Sequence, residues 1–357
     1  MKNRNSNIEL ARIFAIIGVI ILHYNSYGAQ GALNHVQAGS INFYVCHALE
    51  AAFICAVNLF VMISGYFLCE NHRRSLWKPI ELIVQTSTFS CLLNILYPIV
   101  TSRGEGLSPS ILWALLPDNY YVILYCVLYL ISPFINTIYA VHSKKELKCY
   151  LTLSLLLFSV FPTLLDVFNS ITGIERTGLS TISIFGSLKG YSIINFVLMY
   201  GIGAYFRKCN PQISSWSTGK LLVAIGMCIA GLTLWSTSVQ DKGIAWNYCN
   251  PIVILLAVLY FVLFSKFPHK NNKVINKMAE GTFSVYLLHG SFIAQLNVDY
   301  FATQPIWKML GHMAISVCGI YCVCWIGHVV YSAVSRPVFR LLSRHDSLIV
   351  VDTTLKK

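Results

Sequence analysis

Two residues in the stretch "ELARIFAIIGVIILHYNSYG" (9–28) can do chemistry that their apolar neighbours cannot: Arg12 and His23. Eleven residues make about three helical turns and a rise of roughly 16 Å. Both side chains therefore leave nearly the same face of one helix. Histidine is the commonest general base because its ordinary pKa lies near working pH. A guanidinium three turns away offers a fork for an anion. The spacing suits a substrate lying along the helix, its anionic part at Arg12 and its reactive end near His23. Each residue also has a plainer use. An arginine near a helix end often snorkels to lipid headgroups, and a lone interfacial histidine is often merely hydrogen-bonded.

Other candidates are dispersed. Arg73, Arg74 and Lys78 in "ENHRRSLWKPIEL" (70–82) supply positive charge for an anionic donor, though basic loop residues equally serve as orientation signals. Glu50, expected at the outer end of a second helix, could orient His23 or a sugar; a solvated interfacial acid needs no such role. Tyr121, beside Tyr120, suits either substrate contact or an aromatic belt. His289 is expected inside a late apolar helix, where an ionisable group is costly. No Gly-x-Ser-x-Gly elbow or His-x4-Asp motif occurs. The twelve cysteines are scattered, with Cys322 and Cys324 the only close pair, so no metal site is expected.

The elements that must position these residues follow from composition. The chain has 357 residues, 56% hydrophobic and 11% charged, with a mean hydropathy of +0.62. Soluble domains carry about 25% charged residues. This is the signature of an all-α polytopic membrane protein. Ten transmembrane helices are expected near 10–27, 49–68, 79–100, 119–140, 149–168, 191–207, 218–237, 250–266, 281–302 and 309–332. They form one integral-membrane domain over 1–357, without a soluble insert or a cleavable signal peptide. Basic residues outnumber those of the opposite side by about four to one on the loops near 69–78, 141–148, 207–220 and 265–280 and on the termini. That bias predicts both termini to be cytoplasmic. It also explains the net charge of +12 without nucleic acid as a partner.

Arg, ten intervening residues and His in the first span resemble the signature of the acyltransferase family 3 membrane proteins. Further blocks resemble that family in order: "VNLFVMISGYFL" (57–68), "YYVILYCVLYLISPFIN" (120–136), "FVLMYGIGAYFRK" (196–208) and "MAEGTFSVYLLHG" (278–290), the last with its Tyr-Leu-x-His ending. The resemblance implies a ten-helix O-acyltransferase of the bacterial plasma (inner) membrane. Its donor would be acyl-CoA, commonly acetyl-CoA, and its acceptor a surface glycan or lipid-linked sugar. His23 and Arg12 would be catalytic, and Arg73, Arg74 and Lys78 would serve the donor. The chain departs from the family at three points. It lacks the Arg-x-x-Arg spacing after the second span, has Ser335-Arg336-Pro337 where a Glu-x-Pro element is common, and has Tyr121 where a tryptophan is common. The competing expectation is a transporter that exports a glycan or passes acyl groups across. Such proteins tend to show repeated halves with broken helices, and no internal repeat is evident here. Oligomeric state stays open.

Overall fold

The computed structural model describes residues 5–101, 119–174, 178–238, 242–267, 271–342 and 348–350, with side chains described at all of these except 96–101, 242 and 348–350. Helices dominate: α1 (Ser6–Ser26), α2 (Ile41–Phe53), α3 (Ala56–Leu68), α4 (Trp77–Thr101), α5 (Tyr120–Val141), α6 (Lys144–Leu155), α7 (Phe161–Thr172), α8 (Ile193–Cys209), α9 (Thr218–Ser238), α10 (Lys242–Ala245), α11 (Pro251–Ser265), α12 (Lys273–Glu280), α13 (Thr282–Ile293), α14 (Val298–Ala302) and α15 (Ile306–Leu342). All ten expected segments fall on helices. Among the described residues, six stretches are long and apolar enough to cross a membrane: 6–26, 41–68, 120–141, 144–172, 218–238 and 306–342. The apolar helices α11 and α13 are shorter.

Short polar side chains fix where several helices begin, because each accepts a backbone N–H that the first turn leaves unpaired. Ser40 accepts from Phe43, Asn119 from Val122, Ser192 from Asn195 and Asn250 from Ile252. Ser143 and Glu146 form a reciprocal capping box. These caps correct the expected boundaries. The second span starts at Ile41 rather than 49, because Ser40 caps it and Asn42 and His47 had disguised its first turns. It is interrupted at 54–55 between α2 and α3. The fifth segment runs from 144 to 172 through one π-helical turn at Leu156–Val160, next to Pro162, which has no N–H to donate. The ninth breaks after Ile293 and resumes as α14. The tenth continues to Leu342, past the apolar run, with Arg336 paired to Glu280 at 3.2 Å.

Helices α3 and α8 pack most closely. A Cβ on Gly65 would collide with the Tyr200 carbonyl oxygen, and one on Gly203 with that of Met62. Small residues let two backbones approach this far, as in membrane helix pairs generally. Helix α1 lies inside the bundle against α2, α3, α11, α12 and α13, which is why most of its residues are buried.

Hydrogen bonds gather the basic loops at one end. Arg207 donates to both carboxylate oxygens of Glu70 at 3.0 and 2.9 Å, which holds that carboxyl below the usual range. Lys208 reaches the carbonyls of Ala140 and His142, and Lys266 that of Ser214. Ser6 bonds Asn276 at 2.9 Å. Strand β1 (Arg73–Ser75) pairs antiparallel with β2 (Leu348–Val350). Segments near both chain ends thus meet the loops with which their charge had grouped them. The terminal lysines and Arg4 themselves lie outside the described residues.

Candidate active site

Near its start helix α1 packs against α12, where Ser6 bonds Asn276, and farther along it packs against α13, which brings His289 to the last turns of α1. There Nδ1 of His23 lies 2.8 Å from Nε2 of His289, with the rings stacked at 4.6 Å between centroids. His289 is 3% exposed, and its Nδ1 lies 3.0 Å from the Val285 carbonyl oxygen one turn earlier. A carbonyl only accepts, so Nδ1 of neutral His289 carries the proton and its Nε2 is a lone pair. The proton between the rings then sits on Nδ1 of His23. This leaves Nε2 of half-buried His23 unprotonated, and that atom has no hydrogen-bond partner among the described residues. One chain of hydrogen bonds fixes the tautomer that a general base requires.

A cavity of about 260 Å³ extends from the basic end toward this pair. Arg12 and Lys78 line it, with Tyr121 and Tyr286 among its other walls. Val19 also lines it, on the same face of α1 as Arg12 and one turn before His23. Tyr286 continues toward the dyad, its ring 6.0 Å from that of His289 and its hydroxyl donating to Asn119 Oδ1 at 3.0 Å. Both cations in the cavity wall have a carboxylate beside them, Arg12 with Glu9 at 3.1 Å and Lys78 with Glu81 at 2.9 Å, and Glu280 of the same wall pairs with Arg336. The latter two pairs are partly exposed. Such pairs are worth only about 0–1 kcal/mol, so an entering polyanion can exchange with them at little cost.

The remaining candidates separate. Tyr121 stands in the cavity wall, 5.1 Å from the ring of Tyr286. Arg73 is exposed on β1, and Lys78 is exposed at the cavity. Arg74 is 1% exposed and spent on the protein itself. Its guanidinium donates to Ser132 Oγ at 2.8 Å and to the carbonyls of Asn71, Arg73 and Leu68. It therefore offers no free edge to a donor, contrary to the expectation for a loop arginine. Glu50 is 3% exposed inside the second span rather than at its outer end, and it does not reach His23 in any described contact. Its Oε1 is buried without a partner, near Asn25, whose Nδ2 bonds the Cys46 carbonyl.

Among the described residues no cluster of His, Cys, Asp or Glu could hold a metal ion. A bundle of apolar helices with a cavity between them and a histidine pair beyond it defines an all-α membrane protein. The family model described as an acyltransferase domain matches residues 5–329, so the chain belongs to acyltransferase family 3. No curated protein and no solved structure matches it. The family makes the chain a membrane acyltransferase.

Proposed function

We propose that the chain is an O-acetyltransferase of the bacterial plasma membrane. It moves acetyl from cytoplasmic acetyl-CoA to a hydroxyl of a surface glycan or its lipid-linked precursor. On this reading the bundle has ten spans, with the basic end and both termini in the cytoplasm. The observation that carries it is the cavity with Arg12 and Lys78 in its wall and, one turn beyond Val19, the ordered His23–His289 pair. CoA carries several phosphate charges, for which exposed Arg73 can add to Arg12 and Lys78. Only the slender pantetheine arm need enter the cavity, bringing its thioester past Tyr121.

In the reaction the acceptor hydroxyl oxygen attacks the thioester carbonyl carbon while its proton passes to Nε2 of His23. The carbon–sulfur bond then breaks, and the departing CoA thiolate takes that proton. His289 accepts the Nδ1–H bond throughout and steadies the imidazolium. The test is transfer of labelled acetyl from acetyl-CoA by purified protein to glycan from its own cells, with His23→Ala beside the wild type. The variant is expected to lose at least about 10²-fold in turnover, the lower end of general-base contributions. A near wild-type rate in the variant overturns the base assignment.

A further inference from the structure

A second and larger cavity, about 710 Å³, lies at the opposite end of the bundle from Arg12. It is within the roughly 300–1,000 Å³ typical of small-ligand sites. Its walls are the last turns of α7, the segment 184–189, and the region of α10 and Asn247. Polar groups able to donate and accept converge on it. Asn247 Nδ2 donates to Asp166 Oδ2 at 3.1 Å and lies 3.4 Å from Ser187 Oγ. The amide oxygen of Asn169 is buried without a hydrogen-bond partner. Phe185 stands in the lining with 76% of its surface exposed.

The segment carrying Phe185 is held in shape rather than loose. Gly186, Leu188, Lys189 and Gly190 all have positive φ, an arrangement that non-glycine residues adopt only when neighbours enforce it. The enforcement is visible. Ser180 and Ser183 both donate to the Gly186 carbonyl, and the Lys189 carbonyl accepts from Tyr248 N at 2.8 Å. A Cβ on Gly190 would stand 2.5 Å from Cys249 N. From here an aromatic path leads inward. Tyr248 packs on Tyr191 at 4.9 Å and Tyr191 on Tyr120 at 4.7 Å. Tyr120 adjoins Asn119, which accepts from Tyr286 beside the histidine pair.

We infer that this cavity binds a neutral sugar unit of the acceptor glycan other than the unit whose hydroxyl reaches His23, with its hydroxyls on Asp166, Asn169 and Asn247 and its apolar face on Phe185. Sugar hydroxyls both donate and accept, which a carboxylate with two amides can match. The C–H face of a pyranose suits an exposed aromatic ring. The site rests on the acetyl-transfer reading and supplies its second substrate.

The test measures acceptor and donor KM with labelled acetyl-CoA and with short oligosaccharides of glucose, galactose and N-acetylglucosamine. The proteins are wild type, Asn247→Ala, Phe185→Ala and His23→Ala. Phe185→Ala alters an exposed side chain and guards against a folding defect at Asn247. Acceptor KM should rise about tenfold in Asn247→Ala and in Phe185→Ala, the equivalent of one lost hydrogen bond or contact, while donor KM holds within about twofold. Wild-type acceptor KM in both variants overturns the site and leaves the acetyl-transfer reading intact. Full labelling by His23→Ala with raised KM in the cavity variants overturns the base and leaves the site. Failure of the wild type to label any sugar overturns both.

Discussion

His23 takes its chemical identity from a partner on another helix. The bond from its Nδ1–H to His289 decides which of its nitrogens can accept a proton. His289→Leu should therefore lower kcat by at least about tenfold, as lost partners of reacting histidines commonly do, with donor KM unchanged. His289→Gln should recover part of the loss, since its amide oxygen can accept the same bond; equal rates for the two variants would deny the orienting role. Arg74 makes the opposite case. Arg74→Ala removes a buried guanidinium that bonds Ser132 and three carbonyls, and it should cost roughly 2–4 kcal/mol of stability, read as a lower unfolding midpoint in detergent. A raised donor KM in a normally stable Arg74→Ala protein would return this residue to the donor site. Sequence spacing made Arg12 and His23 legible because one helix sets their geometry. Glu9, three residues before Arg12, was within reach of the same helical rule. The contact of His23 with His289 spans 266 positions, and the burial of Arg74 depends on α5, so neither could be read locally.

Helices were legible wherever apolar runs were long, and their ends were legible only where a cap could be recognised. Ser40 and Asn119 mark starts that composition alone misplaces or blurs, while the interruption at 54–55 carries no proline or glycine signal. The α3–α8 contact likewise needs both helices in view. Gly65→Leu or Gly203→Leu must push the two backbones apart and should cost at least about 1–3 kcal/mol, as overpacked interiors do. Gly226 offers the comparison, because an added Cβ there meets nothing within 4 Å. Gly226→Ala should leave the unfolding midpoint unchanged or slightly higher. Equal destabilisation at all three positions would remove the tight contact as the cause.

At the scale of the whole molecule, charge sorts the loops and hydrogen bonds then hold the sorted loops together. The sidedness proposed from that charge predicts that Lys273→Cys stays silent to an impermeant thiol reagent added outside intact cells, whereas Thr303→Cys reacts. The reverse pattern would invert the protein in the membrane. One face of α1 carries Arg12 and Val19 at the first cavity and His23 beyond it, and this has an electrical consequence under the proposed reaction. Each turnover sends an acetyl group outward along that face in exchange for one proton, which ends on the CoA sulfur. Thioester and hydroxyl are neutral before the exchange, and thiol and ester are neutral after it, so no net charge moves through the bilayer. Turnover in sealed vesicles should then ignore an imposed diffusion potential, and the protein would decorate the outside of a cell without drawing on the voltage that drives most other traffic across it.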